Sequence, residues 1–282
     1  MDRKKVGIPD LMNKKREGRK ITMLTAYDYP VAKLVDDAGI DMILVGDSLG
    51  MVVLGYDSTV PVTMDEMIHH CKAARRGTKY AFLVGDMPFM SFQVSVEEAV
   101  RNAGRFLKEA GCDAIKLETA EPRVLEVTKA IIEAGIPVLG HLGLTPQSAT
   151  KLGGLKVQGK DAQAAQKIID SAVALEQAGC FAVVLECIPD KLAKIITEKL
   201  AIPTIGIGAG KDCDGQVLVI NDMIGLFERF LPKFVKQYVK VAPQISSAIR
   251  QYKDEVEAGT FPGAEHTFGI KEEELNKVKS QK

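Results

Sequence analysis

Four short apolar runs in this chain of 282 residues each stop at an acid. ILVGD ends at Asp47, LVGD at Asp86, IKLE at Glu118 and VVLE at Glu186. Runs this short and this rich in Val, Ile and Leu have the pattern of strands buried on both faces. One acid at a strand end caps the next helix as readily as it does chemistry. Four in the same position point to carboxylates that converge. Asp47, Asp86 and Glu118, arriving from adjacent strands, would repel one another unless a proton or a cation neutralised them. Oxygen-only ligands of this kind suit a hard divalent ion, Mg²⁺ first, which keeps several waters and takes one or two carboxylates with substrate oxygens.

The neighbouring residues sort into roles. Glu186 closes an apolar run on a non-adjacent strand, where partial desolvation suits a general base; a buried, ion-paired Glu is the other reading. Lys116 precedes Glu118 by two residues, so both point to one side of their strand, and the ammonium serves as substrate clamp or as counter-ion. His141, in LGHLGL, ends a strand beside a Gly-flanked loop and is expected to touch substrate. His69 and His70 lie on a helix as packing or surface residues, and His266 sits in the tail. GIGAG at residues 206–210 lacks the helix and ribose-binding acid of a dinucleotide loop, and reads instead as close backbone approach at a crowded mouth.

These residues need a frame that brings strand ends together. Strand candidates fall at residues 21–27, 42–45, 81–84, 114–117, 138–140, 182–185, 204–207 and 217–220. Helical stretches between them close on Ala-Gly at Gly39, Gly111, Gly135 and Gly179, with Gly77 in a similar place after Arg75 and Arg76. Thr63 with Glu66 and Ser95 with Glu98 match the capping box, and Pro122 and Pro189 suit a first helical turn. Eight strand–helix units in a chain of this length predict a closed (β/α)₈ TIM barrel, class α/β, rather than an open doubly wound sheet. Residues 208–216 leave no room for a seventh helix. A short helix over 8–17 forms an N-terminal extension (residues 1–20), a long final helix spans about 232–258, and a loose polar tail follows at about 269–282, all in a single domain. Two long loops, 48–61 and 142–160, follow strand ends on the face where barrel enzymes keep their sites, and the second is expected to close over a substrate.

Composition narrows the partners. Lys plus Arg and Asp plus Glu both total 37, so the formal net charge is zero and gives no footprint for nucleic acid or an anionic membrane. Small molecules are the expected partners. The five cysteines are odd in number and scattered, without zinc-ligand spacing, which fits free thiols in a reduced cytosol. The basic N-terminus lacks the apolar core of a secretory signal, and no apolar stretch reaches the roughly 20 residues of a membrane helix. A cytoplasmic location is expected.

The segments TAYDYPVAKLVDDAGIDMILVGDSLGMVVLGYDSTVPVT, DMPFMS, GHLGLTPQS, KVQGK, LECIP and GIGAGKDCDGQ together resemble the ketopantoate hydroxymethyltransferase family, from about residue 25 to 268. The resemblance implies an Mg²⁺-dependent (β/α)₈ barrel, one ion per subunit, assembled as a homodecamer. It implies transfer of a one-carbon unit from 5,10-methylenetetrahydrofolate to 3-methyl-2-oxobutanoate, giving 2-dehydropantoate for pantothenate synthesis through a metal-stabilised enolate. Carried over by motif, Asp47 and Asp86 hold the metal, with Glu118 at the same site as ligand or through water. Asp47, Ser48, Asp86, Lys116 and His141 contact the keto acid, and Glu186 of LEC matches the proton acceptor. Three departures affect loop shape alone: Thr119-Ala120 for paired glycines, Asn221 where His is frequent, and Val60 for Leu. An Mg²⁺-dependent carbon–carbon lyase of the isocitrate lyase and phosphoenolpyruvate mutase kind is the alternative, but its KKCGH-like loop does not occur here. A non-catalytic small-molecule-binding barrel with structural acids is the other class.

Overall fold

The computed structural model describes residues 3–118, 122–148, 154 and 156–279. The elements run α1 (Ile8–Arg16), β1 (Ile21–Thr25), α2 (Tyr29–Asp37), β2 (Met42–Val45), α3 (Leu49–Val52), α4 (Met64–Gly77), β3 (Phe82–Asp86) and α5 (Val96–Lys108). The chain continues with β4 (Ala114–Glu118), α6 (Pro122–Glu133), β5 (Val138–Gly143), a 3₁₀ turn (Pro146–Ser148), α7 (Ala162–Ala178), β6 (Ala182–Glu186), α8 (Asp190–Lys199) and β7 (Thr204–Ile207). It ends with β8 (Gly215–Leu218), α9 (Ile220–Met223), α10 (Val241–Glu257), a 3₁₀ turn (Ala264–His266) and α11 (Glu272–Lys279). All eight strands are parallel and close in sequence order, β8 pairing back onto β1. This is the expected TIM barrel.

Strand alternation sorts the core into two layers. Inside the barrel, Ile21, Met23, Met42, Leu44, Phe82, Val84, Ala114, Leu139, Val184, Ile205 and Val217 form one apolar cluster. The opposite faces pack on the helices in a second, larger cluster. Helix α1 stoppers the barrel: Leu11 is buried in the inner cluster, with Val6 and Ile8 beside it. Ion pairs fasten the stopper to the strand starts, Lys14 to Asp41 at 2.5 Å and Lys15 to Asp214 at 2.7 Å. The same two acids accept the N–H groups of Thr22 and Thr204, both at 2.8 Å.

Several boundaries move. Strands β3, β4 and β6 run through to Asp86, Glu118 and Glu186 themselves, because cross-strand pairing continues one or two residues beyond the apolar run. Strand β1 stops at Thr25 and β8 begins at Gly215. No helix separates β7 from β8. The Ala-Gly closures hold, with Gly39, Gly111, Gly135 and Gly179 at φ between +69° and +97°. Gly77 is different: it is still helical, and a Cβ there would lie 2.5 Å from the Tyr29 carbonyl, so it lets α2 and α4 approach. The Thr63–Glu66 capping box is complete, whereas Ser95 caps α5 without a return bond from Glu98. Pro189 is the residue capping α8 rather than the first within it. The final long helix begins at Val241, not near 232. Within the tail from about 269, residues Glu272–Lys279 form α11, whose three leading glutamates favour a helix N-terminus; residues 280–282 lie outside the described residues. The loop at 48–61 contains α3, and the one at 142–160 opens with the end of β5 and a 3₁₀ turn; its residues 149–153 and 155, like Thr119 and Ala120, lie outside the described residues.

Two glycines separate packing from propensity. Gly77→Ala is expected to cost about 1–3 kcal/mol through the clash with α2, although alanine is the better helix former. Gly104→Ala, in the middle of α5 with nothing within 4 Å of the added carbon, is expected to stabilise by roughly 0.5–1 kcal/mol. Urea unfolding midpoints moving in opposite directions would bear this out; a shared direction would refute it.

Candidate active site

The strand register assembles the site in two groups. Asp86 and Lys116 are partners across the β3–β4 ladder, and both point into the barrel. The Lys116 ammonium donates to both Asp86 oxygens, at 2.7 and 2.8 Å, with both side chains almost fully buried. Asp47 comes two residues after β2, and its N–H donates to Asp86 Oδ2 at 3.2 Å. Burial and the Asp86 carboxylate hold the Asp47 pKa well above the usual range, against the pull of Lys116. Burial works against the Lys116 charge, but Asp86, Asp47 and Glu118 outweigh it and raise its pKa. Lys116 is therefore a charged counter-ion.

The second group lies on β4, β5 and β6. Glu118 and His141 are ladder partners, and Glu118 Oε1 is 3.5 Å from His141 Nδ1. The other ring nitrogen, Nε2, is 3.2 Å from Glu186 Oε2. His141 is thus threaded between two carboxylates. Burial and Lys116 lower its pKa, yet the two glutamates prevail and lift it to about 9. The imidazole is cationic at neutral pH. Glu186 is the least enclosed of the four acids, its side chain 17% accessible, and faces the mouth.

Of the residues singled out in the sequence, Asp47, Asp86, Lys116, Glu118, His141 and Glu186 share one buried neighbourhood. Ser48 stands beside them, with its hydroxyl 2.9 Å from the Tyr27 phenol. His70 is structural, its Nδ1 lying 2.7 Å from the Tyr27 carbonyl oxygen, and His69 and His266 lie elsewhere. The GIGAG segment provides close approach, since a Cβ on Gly208 would meet the Phe234 ring at 2.8 Å. Among the described residues, no three His, Cys, Asp or Glu side chains form a ready-made metal cage. The ammonium of Lys116 covers both oxygens of Asp86, and one oxygen of Asp47 is also engaged. The charge still fits a divalent ion. Burial and the Asp86 carboxylate favour a proton on Asp47, and a divalent ion beside the pair would take the place of that proton. Asp47 and Asp86 are the residues that could hold it, with Glu118 behind them.

Three residues were not foreseen. Gln147, on the turn after β5, donates from Nε2 to Asp47 Oδ2 at 2.9 Å and from its main-chain N–H to Glu118 Oε2 at 3.1 Å. Tyr27, buried at the end of β1, has its phenol pKa raised by that burial and so remains a neutral partner for Ser48. Asp222, on α9, is buried, and its Oδ1 finds no hydrogen-bond partner among the described residues. Loop periodicity gives no sign of which polar residue turns inward.

Burial lifts the Asp222 pKa from 3.8 to about 6. A carboxyl that holds its proton more tightly when folded favours the fold below about pH 4 and loses that contribution as pH rises through 6. Asp222→Asn is therefore expected to match the wild-type melting temperature near pH 4 and exceed it above pH 7. Thermal unfolding across pH tests this, and a pH-independent offset would contradict it.

The ketopantoate hydroxymethyltransferase family matches the chain over residues 5–264. A 3-methyl-2-oxobutanoate hydroxymethyltransferase of Syntrophomonas wolfei is 59% identical over 274 residues, covering 97% of this chain and 99% of the relative. The protein of that name from Syntrophus aciditrophicus is 61% identical over 254 residues, 90% of this chain and 93% of its own. Among solved structures, phosphonopyruvate hydrolase in complex with oxalate and Mg²⁺ aligns with a TM-score of 0.60 at 14% identity, covering 98% of this chain and 96% of the other. A 2,3-dimethylmalate lyase of the PEP mutase/isocitrate lyase superfamily aligns with a TM-score of 0.57 at 12% identity, covering 97% and 98%. Identity that low carries the fold alone. The match across nearly the whole chain, with relatives near 60% identity, makes this protein a member of the ketopantoate hydroxymethyltransferase family.

Proposed function

We propose that this protein transfers a hydroxymethyl unit from 5,10-methylenetetrahydrofolate to 3-methyl-2-oxobutanoate, giving 2-dehydropantoate in pantothenate synthesis. The observation that carries this reading is one buried cluster, in a chain of this family, pairing an acidic wall with a separate glutamate. A Mg²⁺ ion, one per subunit, fits the crowded acids and would be held by Asp47 and Asp86, with Glu118 close by. When bound, it supplies Lewis-acid stabilisation of negative charge at the ketone oxygen of the substrate.

The chain's own residues do the rest. Lys116, fixed on Asp86 and facing the lumen, attracts the keto acid carboxylate. Ser48, held by the Tyr27 phenol, offers its hydroxyl at the same end of the barrel. Glu186 takes the proton from C3, and the C–H electron pair moves towards the ketone oxygen. The His141 ring, 3.2 Å from Glu186 Oε2, orients that carboxylate to receive the proton. C3 then attacks the methylene carbon of the ring-opened iminium while its C=N pair moves to nitrogen; water replaces that nitrogen, which leaves as tetrahydrofolate with the C–N electron pair and one proton of the water, and the other proton stays on the new hydroxyl.

The whole chain is read as one working domain, cytoplasmic and assembled as a homodecamer. The exposed apolar residues Ile245, Ile249, Tyr252 and Val256 recur at helical spacing on α10 and support association between subunits.

Glu186→Gln is expected to slow C3-proton exchange of 3-methyl-2-oxobutanoate in D₂O by about 10²–10⁴-fold while Mg²⁺ binding persists. Wild-type exchange in that variant would remove Glu186 as the base. Asp47→Ala and Asp86→Ala are expected to weaken Mg²⁺ binding, measured by calorimetry with the keto acid present, and unchanged affinity would remove them as ligands.

A further inference from the structure

Gln147 joins the two halves of the site. Its residue is buried, 6% exposed, on the 3₁₀ turn after β5. The side-chain nitrogen donates to Asp47 Oδ2 at 2.9 Å and to the Met87 carbonyl at 3.0 Å. Its main-chain N–H donates to Glu118 Oε2 at 3.1 Å. Asp47 belongs to the group built on Asp86 and Lys116, and Glu118 to the group built on His141 and Glu186.

The chemistry of the amide sharpens this. Both side-chain partners are acceptors, so the nitrogen must face them and Oε1 must face away. That oxygen is buried and finds no hydrogen-bond partner among the described residues. A buried acceptor left without a donor costs stability. The position therefore serves the acids better than it serves the fold. A neutral donor also orients a carboxylate without cancelling its charge, which a Lys or Arg in its place would do.

The rest of the loop points the same way. At its start, the Leu144 N–H donates to the Glu186 carbonyl at 2.8 Å, and near its end the Gln158 N–H donates to the Cys187 carbonyl at 2.9 Å. The stems thus rest on successive carbonyls at the end of β6. Between them, Gln147 holds the acidic wall.

We propose that Gln147 is a positioning residue that sets the orientation of the Asp47 carboxylate and couples the acidic wall to the strand carrying Glu186. This rests on the proposed reading of the wall as a divalent-ion site. Gln147→Met keeps the length of the side chain and removes both the donor and the stranded acceptor. Mn²⁺ titration followed by electron paramagnetic resonance, with 3-methyl-2-oxobutanoate present, is expected to show affinity about 10- to 100-fold below wild type. In C3-proton exchange the variant is expected to raise KM for the keto acid more than it lowers kcat. Its melting temperature should stay close to wild type, and Gln147→Asn, a shorter amide, should recover part of the Mn²⁺ affinity. Equal Mn²⁺ affinity in wild type and Gln147→Met, or a loss matching the unfolded fraction alone, would overturn the assignment and leave the divalent-ion reading standing. Absence of Mn²⁺ binding by the wild type would overturn that reading and this one together.

Discussion

The buried pair between Lys116 and Asp86 is the interaction on which the mouth of this barrel depends. Strand register makes them neighbours, and the barrel interior behind them is apolar. Removing one partner of such a pair leaves an uncompensated buried charge, at a cost of roughly 3–5 kcal/mol. With the pair intact, Asp47 can sit beside a second carboxylate, though burial and that neighbour still hold its proton on more tightly. The site is therefore stable but crowded with acids. A closed barrel imposes this tension, because its strand ends cannot spread to let water between the acids.

The opposite end solves the same problem differently. Asp41, Asp113 and Asp214 stand just before β2, β4 and β8, and each meets a cation: Lys14, Lys15 of α1, or Lys5 ahead of it. Each also accepts main-chain N–H groups, those of Thr22, Leu83 and Thr204. Acids at the strand starts are matched and hydrogen-bonded, and they close the barrel. Those at the strand ends are undermatched. One residue type thus does structural work at one end and leaves unspent charge at the other, in keeping with barrels whose chemistry sits at the C-terminal face.

Much of this was legible before any coordinates. An apolar run stopping at Asp47, Asp86, Glu118 or Glu186 marks both the strand and the acid at its end, and two-residue parity puts Lys116 on the same side of β4 as Glu118. The missing seventh helix could be read from chain length alone. Other features depend on pairing or packing that a single segment does not record. Strand β5 runs through to Gly143 because β6 supplies partners there, and Gly77 is needed only because Tyr29 of α2 lies against it. Gln147 was hidden for a related reason: in TPQS it is one polar loop residue among several, and nothing local turns it inward. What fixes it is Asp47, one hundred residues away.

The geometry also separates Glu186 from the other acids. Asp47 and Asp86 are joined directly and share the field of Lys116, whereas Glu186 meets His141 and keeps more contact with solvent. Fold likeness to phosphonopyruvate hydrolase and 2,3-dimethylmalate lyase does not make this distinction, since one barrel carries many chemistries. It arises from which strand each acid terminates. Those on β3 and after β2 meet through the Asp47 N–H, whereas the acid on β6 is linked through the His141 imidazole to Glu118 of β4.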